Sequence, residues 1–275
     1  LDLRSVRFLL DPYNFTVNIT TKDPIIILEG NKLEIKKIKT NIALKSLVFN
    51  KFLVDDLKIS TKLIKLDDLI LLARSFKNST KIFLLDKVVK DGFLSADIKL
   101  KFDEKGNIKN DYQITGVIKN TSLNFLNRTK VKNLNLEFDI QKNKYTLMKI
   151  KGDINEVRLS SPLIEINQKK DKLLLAGKIL TNKKEYNREK INTILVNFYN
   201  NPNIEKVRFS SVNDFSFNIN KKLKIKNLDI RSQVDLDQLV IKNNLIDLKP
   251  YLPSLEKVIN FENHKIRISY DKENL

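Results

Sequence analysis

The 275-residue sequence contains no cysteine, no tryptophan, one histidine, six glycines and six prolines. Without cysteine, disulfide frameworks and thiolate metal sites are excluded. With a single histidine, a metal site built from several imidazoles is excluded as well. The glycines stand singly along the chain, so no glycine-rich loop is available to cradle a phosphate group.

Catalytic groups are equally scarce. His264 is the only histidine, and we place it in a turn before a strand, where a solvated side chain is expected rather than a general base. Acidic pairs such as Asp67-Asp68 and Asp235-x-Asp237 have structural interpretations, the first at the start of a helix and the second on the polar side of a strand. We therefore predict that the protein is not an enzyme and uses neither a metal nor another cofactor.

Long apolar runs are also missing. No segment reaches the roughly 18 consecutive apolar residues that a membrane-spanning helix needs, and no signal-peptide pattern is present. The chain starts without methionine and stops within an alternating pattern. We therefore expect it to be a segment of a larger protein, with any membrane anchor outside it.

Positive charge is abundant. Lys and Arg number 51 against 33 Asp and Glu, for a net charge of +18 and a pI near 9.7. Such an excess favours nucleic acid or anionic lipid headgroups as partners, but a composition rich in Lys, Asn and Ile is the simpler interpretation. Base stacking on a sheet needs exposed aromatic residues, whereas the phenylalanines here fall in register with aliphatic residues. This argues against base stacking, and the even distribution of the lysines predicts only weak retention on nucleic acid.

The clearest pattern is the alternation of apolar and polar residues in Val212–Lys242, which predicts strands with one apolar and one polar face. At two points within it, two residues instead of one separate successive apolar positions. Such an extra residue in the alternation predicts a β-bulge. The same step recurs near the start of the chain. The four stretches are Leu33-x-Ile35-x-x-Ile38, Phe52-x-Val54-x-x-Leu57-x-Ile59, Leu223-x-Ile225-x-x-Leu228-x-Ile230 and Val234-x-Leu236-x-x-Leu239-x-Ile241.

Alternation over most of the chain predicts a mainly β fold, namely a long, curved and twisted antiparallel sheet, open as a groove, with two or three short helices. Helical spacing predicts helices near residues 66–77, 185–200 and 253–260. The apolar run Ile82–Val89 is interpreted as a strand. No linker or shift in composition divides the chain, so residues 1–275 are expected to form a single elongated segment.

A sheet with one apolar face has to cover that face, either by closing into a sandwich or by curling into an open groove filled with hydrocarbon chains. A few short helices are too few to cover the whole face, which favours the groove. The residues expected to line it are apolar and come from alternating strands in both halves of the chain: Phe52, Val54, Leu57, Ile59, Ile98, Leu100, Phe102, Leu136, Phe138, Phe215, Phe217, Ile219, Leu223, Ile225, Val234 and Leu236.

Two stretches carry a resemblance to a known family. Phe52–Thr61, leading into Leu66-Asp67-Asp68-Leu69, and the ladder Leu223–Ile230 resemble modules of the AsmA-like envelope proteins of the TamB and YhdP types. The resemblance implies a repeating β-groove protein of the bacterial cell envelope that serves outer-membrane biogenesis. Such a protein is anchored in the inner membrane by a helix outside this segment and crosses the periplasm. It carries phospholipid between the two membranes and interacts with other envelope proteins.

Two other functions stay open. A closed β-sandwich or adhesin-like structural or binding module would use the apolar face as its own core and transport no lipid. A basic nucleic-acid binder would be retained on DNA in a strongly salt-dependent manner. An aspartate on the apolar face separates the first alternative from the groove, because it unfolds a closed core but only removes lipid from an open face.

Overall fold

The structure is a computed structural model. It describes residues 2–3, 5–28, 31–44, 54–76, 80–125, 129–154, 157–195, 203–220, 224–242 and 258–274.

The described residues form mainly strands, with three short helices among them. In chain order the elements are β1 (Ser5–Asp11), β2 (Thr16–Lys22), β3 (Ile25–Leu28), β4 (Asn31–Ala43), β5 (Val54–Thr61), β6 (Ile64–Lys65), α1 (Leu66–Phe76), α2 (Thr80–Val88), β7 (Val89–Lys101), β8 (Gln113–Phe125), β9 (Thr129–Gln141), β10 (Lys144–Ile154), β11 (Val157–Lys169), β12 (Lys172–Asn187), α3 (Arg188–Leu195), β13 (Ile204–Asn220), β14 (Ile225–Lys242) and β15 (Val258–Asn274).

The fold class predicted from the sequence is confirmed, because the strands pair antiparallel in an open arrangement rather than a closed one. The chain divides into two compact units, which are residues Leu1–Gly152 with Glu165–Gln168, and Asp153–Ile164 with Lys169–Leu275. The sequence showed no sign of this division. The reason is that its boundaries fall within β10 and β11, two regular strands, and not at a linker.

Each unit has a simple strand order. Unit 1 runs β1-β2-β4-β5-β7-β8-β9-β10, with β3 beside β4 and β6 beside β7. In unit 2 the order β12-β13-β14-β15 follows the chain. Short turns join some of these neighbours, such as β9 and β10, whereas α3 lies in the connection from β12 to β13.

The skipped residues in the alternation are β-bulges, as predicted. In the pairing of β4 with β5 the register shifts between Ile35 and Lys37 and again opposite Asp55. In β14 it shifts beside Asn227 and at Asp237. Asn227 has a φ of 51°, the left-handed conformation that an asparagine adopts more readily than most residues. The spacing therefore located the bends of these strands from sequence alone.

Side chains at two bulges of unit 2 form an ion pair. The register of β12 against β13 shifts between Thr181 and Lys184, beside the point where β14 bulges at Asp237. Lys183 Nζ lies 2.6 Å from Asp237 Oδ2, and Arg208 Nε of β13 lies 3.2 Å from the same oxygen. The carboxylate at the β14 bulge thus binds one cation from the neighbouring β13 and one from β12, the strand beyond it.

The predictions for the helical segments need three corrections. The helix predicted near 66–77 is α1, and the helix predicted near 185–200 is α3, which begins only at Arg188 because β12 continues to Asn187. The run Ile82–Val89, interpreted as a strand, is mostly the helix α2. Of the helix predicted at 253–260, residues 258–260 begin the strand β15, and 253–257 lie outside the described residues.

The most buried side chains of unit 1 include residues next to α1. Ile64 of β6, and Leu66 and Ile70 of α1, are each 8% exposed, and α1 packs against β6 and β7. Asp67 and Asp68 occupy the first turn of α1 and Arg74 its last turn, so the charges complement the helix dipole. Arg74 also binds Asp86 of α2 at 3.1 Å, which ties the two helices together.

Candidate functional site

The candidate site in unit 1 is an apolar sheet face that starts from β5 and β7. Residues directly opposite one another in an antiparallel ladder share a face. Leu57 lies opposite Leu100, and Ile59 lies opposite Ile98. Val54 pairs with Ile42 of β4 beyond the bulge, which leaves it on the same side as Leu57. The pairing therefore brings these five predicted lining residues together on one face.

The same face continues in both directions. Through β2 and β4 it reaches β1, since Phe8 lies opposite Ile19, Ile19 opposite Thr40, and Thr40 opposite Leu57. Across β7, β8 and β9 it consists of the rows Ile98-Ile114-Ile140, Ala96-Gly116-Phe138 and Leu94-Ile118-Leu136. None of these side chains is charged. The predicted residues Leu136 and Phe138 thus join the set, and this surface is called the apolar face of unit 1.

Hydroxyl groups on this face are satisfied within the sheet. Thr40 Oγ1 donates a hydrogen bond to the carbonyl oxygen of Asp56 at 2.8 Å. Thr61 Oγ1 accepts the backbone N–H of Ala96 at 2.8 Å. Because these polar atoms are already bonded, covering them with an apolar molecule costs little desolvation energy.

The apolar face of unit 2 is formed by β12 to β15. Phe215 lies opposite Ile230, and Ile219 lies opposite Ile225. The bulges keep the remaining predicted residues on the same side. The rows that cross the unit here are Gly177-Phe215-Ile230-Tyr270, Ile179-Asn213-Ser232-Ile268 and Thr181-Ser211-Val234-Ile266. Phe217, Val234 and Leu236 therefore share the face with Phe215, Ile219 and Ile225, as the alternation predicted.

Polar residues on the apolar face of unit 2 are also bonded to one another. Thr181 Oγ1 and Ser211 Oγ lie 2.6 Å apart. Asn213 Nδ2 donates to Ser211 Oγ at 2.9 Å and to the carbonyl oxygen of Ile179 at 3.2 Å. Ser211 is buried. The hydrogen-bond donors of this small network are therefore used within the sheet.

Sequence reasoning missed two glycines that shape these faces. Gly116 lies opposite Phe138, and a Cβ at that glycine would come within 2.6 Å of Phe138 Cζ. Gly177 lies opposite Phe215, where a Cβ would come within 3.1 Å of Phe215 Cζ. Each ring therefore uses the space left by a missing side chain. An isolated glycine inside an alternating strand was the available signal, because it marks a close approach.

Most of the predicted lining residues are only half-buried. Phe138 and Leu236, at 6% exposure each, are buried, and the other described members of the set are intermediate. Phe102 lies just beyond β7, in an isolated bridge to Ile108. Phe52 and Leu223 fall outside the described residues. In a closed sandwich, inward-facing residues would be buried by a second layer, so the exposure fits the open arrangement.

The buried part of the apolar face of unit 2 lies beside α3. Tyr186, the last apolar residue of β12, is 3% exposed, and its ring centroid lies 5.7 Å from that of Phe209. Burial raises the pKa of the Tyr186 hydroxyl above its usual value near 10. Ile191 of α3 is also buried. The helix that starts right after Tyr186 thus packs against one end of β12 and β13.

His264 is not in a turn, as the sequence suggested, but within β15. It lies opposite Leu236 and is exposed, with its ring edge-on to Phe261 at 6.1 Å. In the part of the chain that the structure describes, no group of three His, Asp or Glu side chains is close enough to hold a metal ion.

Comparison with known proteins found no match among family models, curated proteins or solved structures. None of the described helices is long and apolar enough to cross a membrane.

Proposed function

We propose that the apolar faces of the two units bind the hydrocarbon chains of lipids, and that this chain is a lipid-binding segment of a bridge-like phospholipid transport protein of the bacterial envelope. The observation that carries the proposal is the exposure of large apolar side chains in register on one face of each unit. The transport role and the envelope location rest on the resemblance of Phe52–Thr61 and Leu223–Ile230 to AsmA-like modules.

Exposure is greatest on the outer strands. Phe8 of β1 is 66% exposed and lies on the apolar face of unit 1. Ile266, Ile268 and Tyr270 of β15 are exposed on the apolar face of unit 2. Contiguous exposed apolar surface of this kind marks an interaction site in a soluble protein. An acyl chain placed on it gains about 0.8 kcal/mol for each CH₂ group that leaves water.

An acyl chain suits these faces better than a polar ligand does. The hydroxyl and amide groups on them, such as those of Thr40 and Asn213, are bonded to the sheet, so few donors remain to orient a polar molecule. Hydrocarbon needs no such donors, and it adapts to a surface of mixed aromatic and aliphatic side chains.

The test is native mass spectrometry of the gently purified chain, comparing two neighbouring substitutions on β15. Ile268 is 52% exposed on the apolar face, whereas Ser269 lies opposite Arg231 on the other face. Ile268→Asp should lower the lipid-bound fraction about tenfold, because a carboxylate loses its hydration beneath an acyl chain. Ser269→Asp should leave that fraction unchanged. A parent protein without co-purifying lipid would overturn the proposal.

Unit 1 offers a second matched pair. Phe8 and Leu9 are exposed to 66% and 63%. They lie on opposite faces of β1, because consecutive residues of a strand alternate between its faces. Phe8→Asp should reduce bound lipid, whereas Leu9→Asn, which adds no charge beside the lysines of the polar face, should not. Thermal unfolding of both variants distinguishes lipid binding from the alternative function. If Phe8→Asp unfolds the chain outright, the face is a structural core, as in an adhesin-like scaffold.

A further inference from the structure

The polar face of unit 1 contains a basic cavity that the proposed lipid-binding faces do not explain. The cavity has a volume of about 630 Å³ and opens on β1, β2, β4 and β5. Its lining includes one carboxylate, Asp56, and five cationic side chains, which are Arg7, Lys22, Lys37, Lys39 and Lys58. This volume is in the range that accommodates a small organic ligand.

The register aligns these cations in rows across the strands. Arg7 lies opposite Thr20, Thr20 opposite Lys39, Lys39 opposite Lys58, and Lys58 opposite Lys99 of β7. From β1 to β7 this row spans four strand spacings, roughly 19 Å. In the next row Lys22 lies directly opposite Lys37. Like charges directly opposite each other destabilise a sheet, so the arrangement is unfavourable without a counter-charge.

Within the described part of the chain, few carboxylates neutralise this cluster. Asp56 lies 3.6 Å from Lys58 Nζ and accepts a hydrogen bond from Asn41 at 3.3 Å. Desolvation, together with the neighbouring Lys39 and Lys22, lowers the pKa of the Lys37 ammonium below its usual value. Part of this shift comes from repulsion between the neighbouring ammonium groups.

The polar face of unit 2 differs, which argues against composition as the whole cause. There Lys178 lies opposite Asp214, and Asp214 lies opposite Arg231, with a Lys178–Asp214 ion pair at 3.3 Å. Lys206 likewise binds Glu185 at 2.9 Å. Lysine is frequent along the whole chain, yet the two polar faces differ. The charge sign alternates along this row of unit 2, whereas like charges lie opposite each other in the cavity of unit 1.

We propose that the cavity on the polar face of unit 1 binds a phosphate anion carrying two or more negative charges. Arg7, Lys37 and Lys39 supply charged donors for the phosphate oxygens. The side chains of Thr20 and Asn41, which line the same cavity, supply neutral ones. The anion relieves the repulsion between opposed lysines, so binding and folding of this part of unit 1 support each other.

The test is isothermal titration calorimetry of the full chain with inorganic tripolyphosphate at low salt. The parent should bind in a saturable, salt-sensitive manner. The variant Lys37→Gln with Lys39→Gln should bind about tenfold more weakly. The control, Lys178→Gln with Lys206→Gln, removes the same charge from unit 2 and should change the affinity by less than about twofold. Should the first variant unfold, the single substitutions Lys37→Gln and Lys39→Gln provide the same comparison.

A second arm identifies the source of the phosphate. The three proteins are sedimented with vesicles of equimolar phosphatidylcholine and phosphatidic acid, whose phosphomonoester headgroup carries up to two negative charges. Both apolar faces are unchanged in all three proteins. If only Lys37→Gln with Lys39→Gln loses vesicle binding, the cavity is the binding site and a lipid headgroup is its ligand. Selective loss with tripolyphosphate alone assigns a free phosphate compound. Equal losses in both variants, or no binding by the parent in either arm, overturn the proposal.

Discussion

Gly116 of β8 and Phe138 of β9 lie directly opposite each other, and the phenylalanine ring covers the glycine so closely that no side chain fits between them. We expect Gly116→Ala to lower the free energy of unfolding by about 1–3 kcal/mol, because the methyl group forces the ring or the strand to shift. Urea denaturation measures the difference.

Gly152 provides the control for that prediction. A Cβ there would meet Leu134 Cδ1 at 3.4 Å, an ordinary contact. Gly152→Ala should therefore be neutral, or stabilise by up to about 1 kcal/mol by restricting the unfolded chain. Equal destabilisation by both substitutions would show that the ring contact is not the cause.

The bulge at Asn227 predicts a preference for particular residues. With a φ of 51°, this position tolerates glycine but opposes β-branched side chains. Asn227→Val should lower the free energy of unfolding by about 1–2 kcal/mol, and Asn227→Gly should be nearly neutral. Chemical denaturation of both variants tests this, and a tolerated valine would contradict the bulge conformation.

The opposed lysines of unit 1 predict a stabilising charge reversal. Lys39→Glu places a carboxylate opposite Lys58 and should raise the free energy of unfolding by about 0.5 kcal/mol at low salt, less at high salt. The reverse case is Lys178→Glu, opposite Asp214, which should destabilise. If Lys39→Glu destabilises as much as Lys178→Glu, the lysine row carries no repulsion.

Glu205 predicts a pH-dependent contribution to the stability of unit 2. Its carboxylate binds Lys242 at 3.0 Å and Arg188, the first residue of α3, at 2.9 Å. The hydrogen bond from Lys242 is the main cause that lowers the pKa of Glu205 below its usual value near 4.5, and burial opposes it. A lowered folded-state pKa adds stability above the unfolded-state pKa, and that stability is lost as the pH falls through the folded-state pKa.

Glu205→Gln should therefore lower the Tm at neutral pH, and the difference from the parent should shrink as the pH falls below about 4.5. Thermal unfolding followed by circular dichroism across this range measures it. A difference in Tm that stays constant with pH would show that the ion pairs do not contribute.

Local patterns in the sequence were enough to predict the faces and the bends. Period-two alternation located the faces of β5, β13 and β14, and each skipped residue marked a bulge. His264 could have been placed by the same pattern, because Ile259-x-Phe261-x-x-His264-x-Ile266 repeats the skipped step with histidine in an apolar position. Its polar neighbours suggested a turn instead.

Features that depend on pairing could not be predicted locally. The short apolar run of α2 fits a helix or a strand equally well, and its packing against α1, β7 and β8 depends on residues outside the run. The register of the paired strands has to be known before Gly116 can be placed opposite Phe138, or Lys39 opposite Lys58. Each lysine of the basic cavity looked like an ordinary solvated residue, because the row exists across strands and not along any one of them.

The consecutive order of β12 to β15 has a consequence for how unit 2 forms. Each of these strands pairs with the one before it in the chain, so no strand has to wait for a partner from a later part of the sequence. A growing chain can therefore add one strand at a time, each new strand docking on the edge left by its predecessor. During synthesis the unit can assemble in the order in which it is translated.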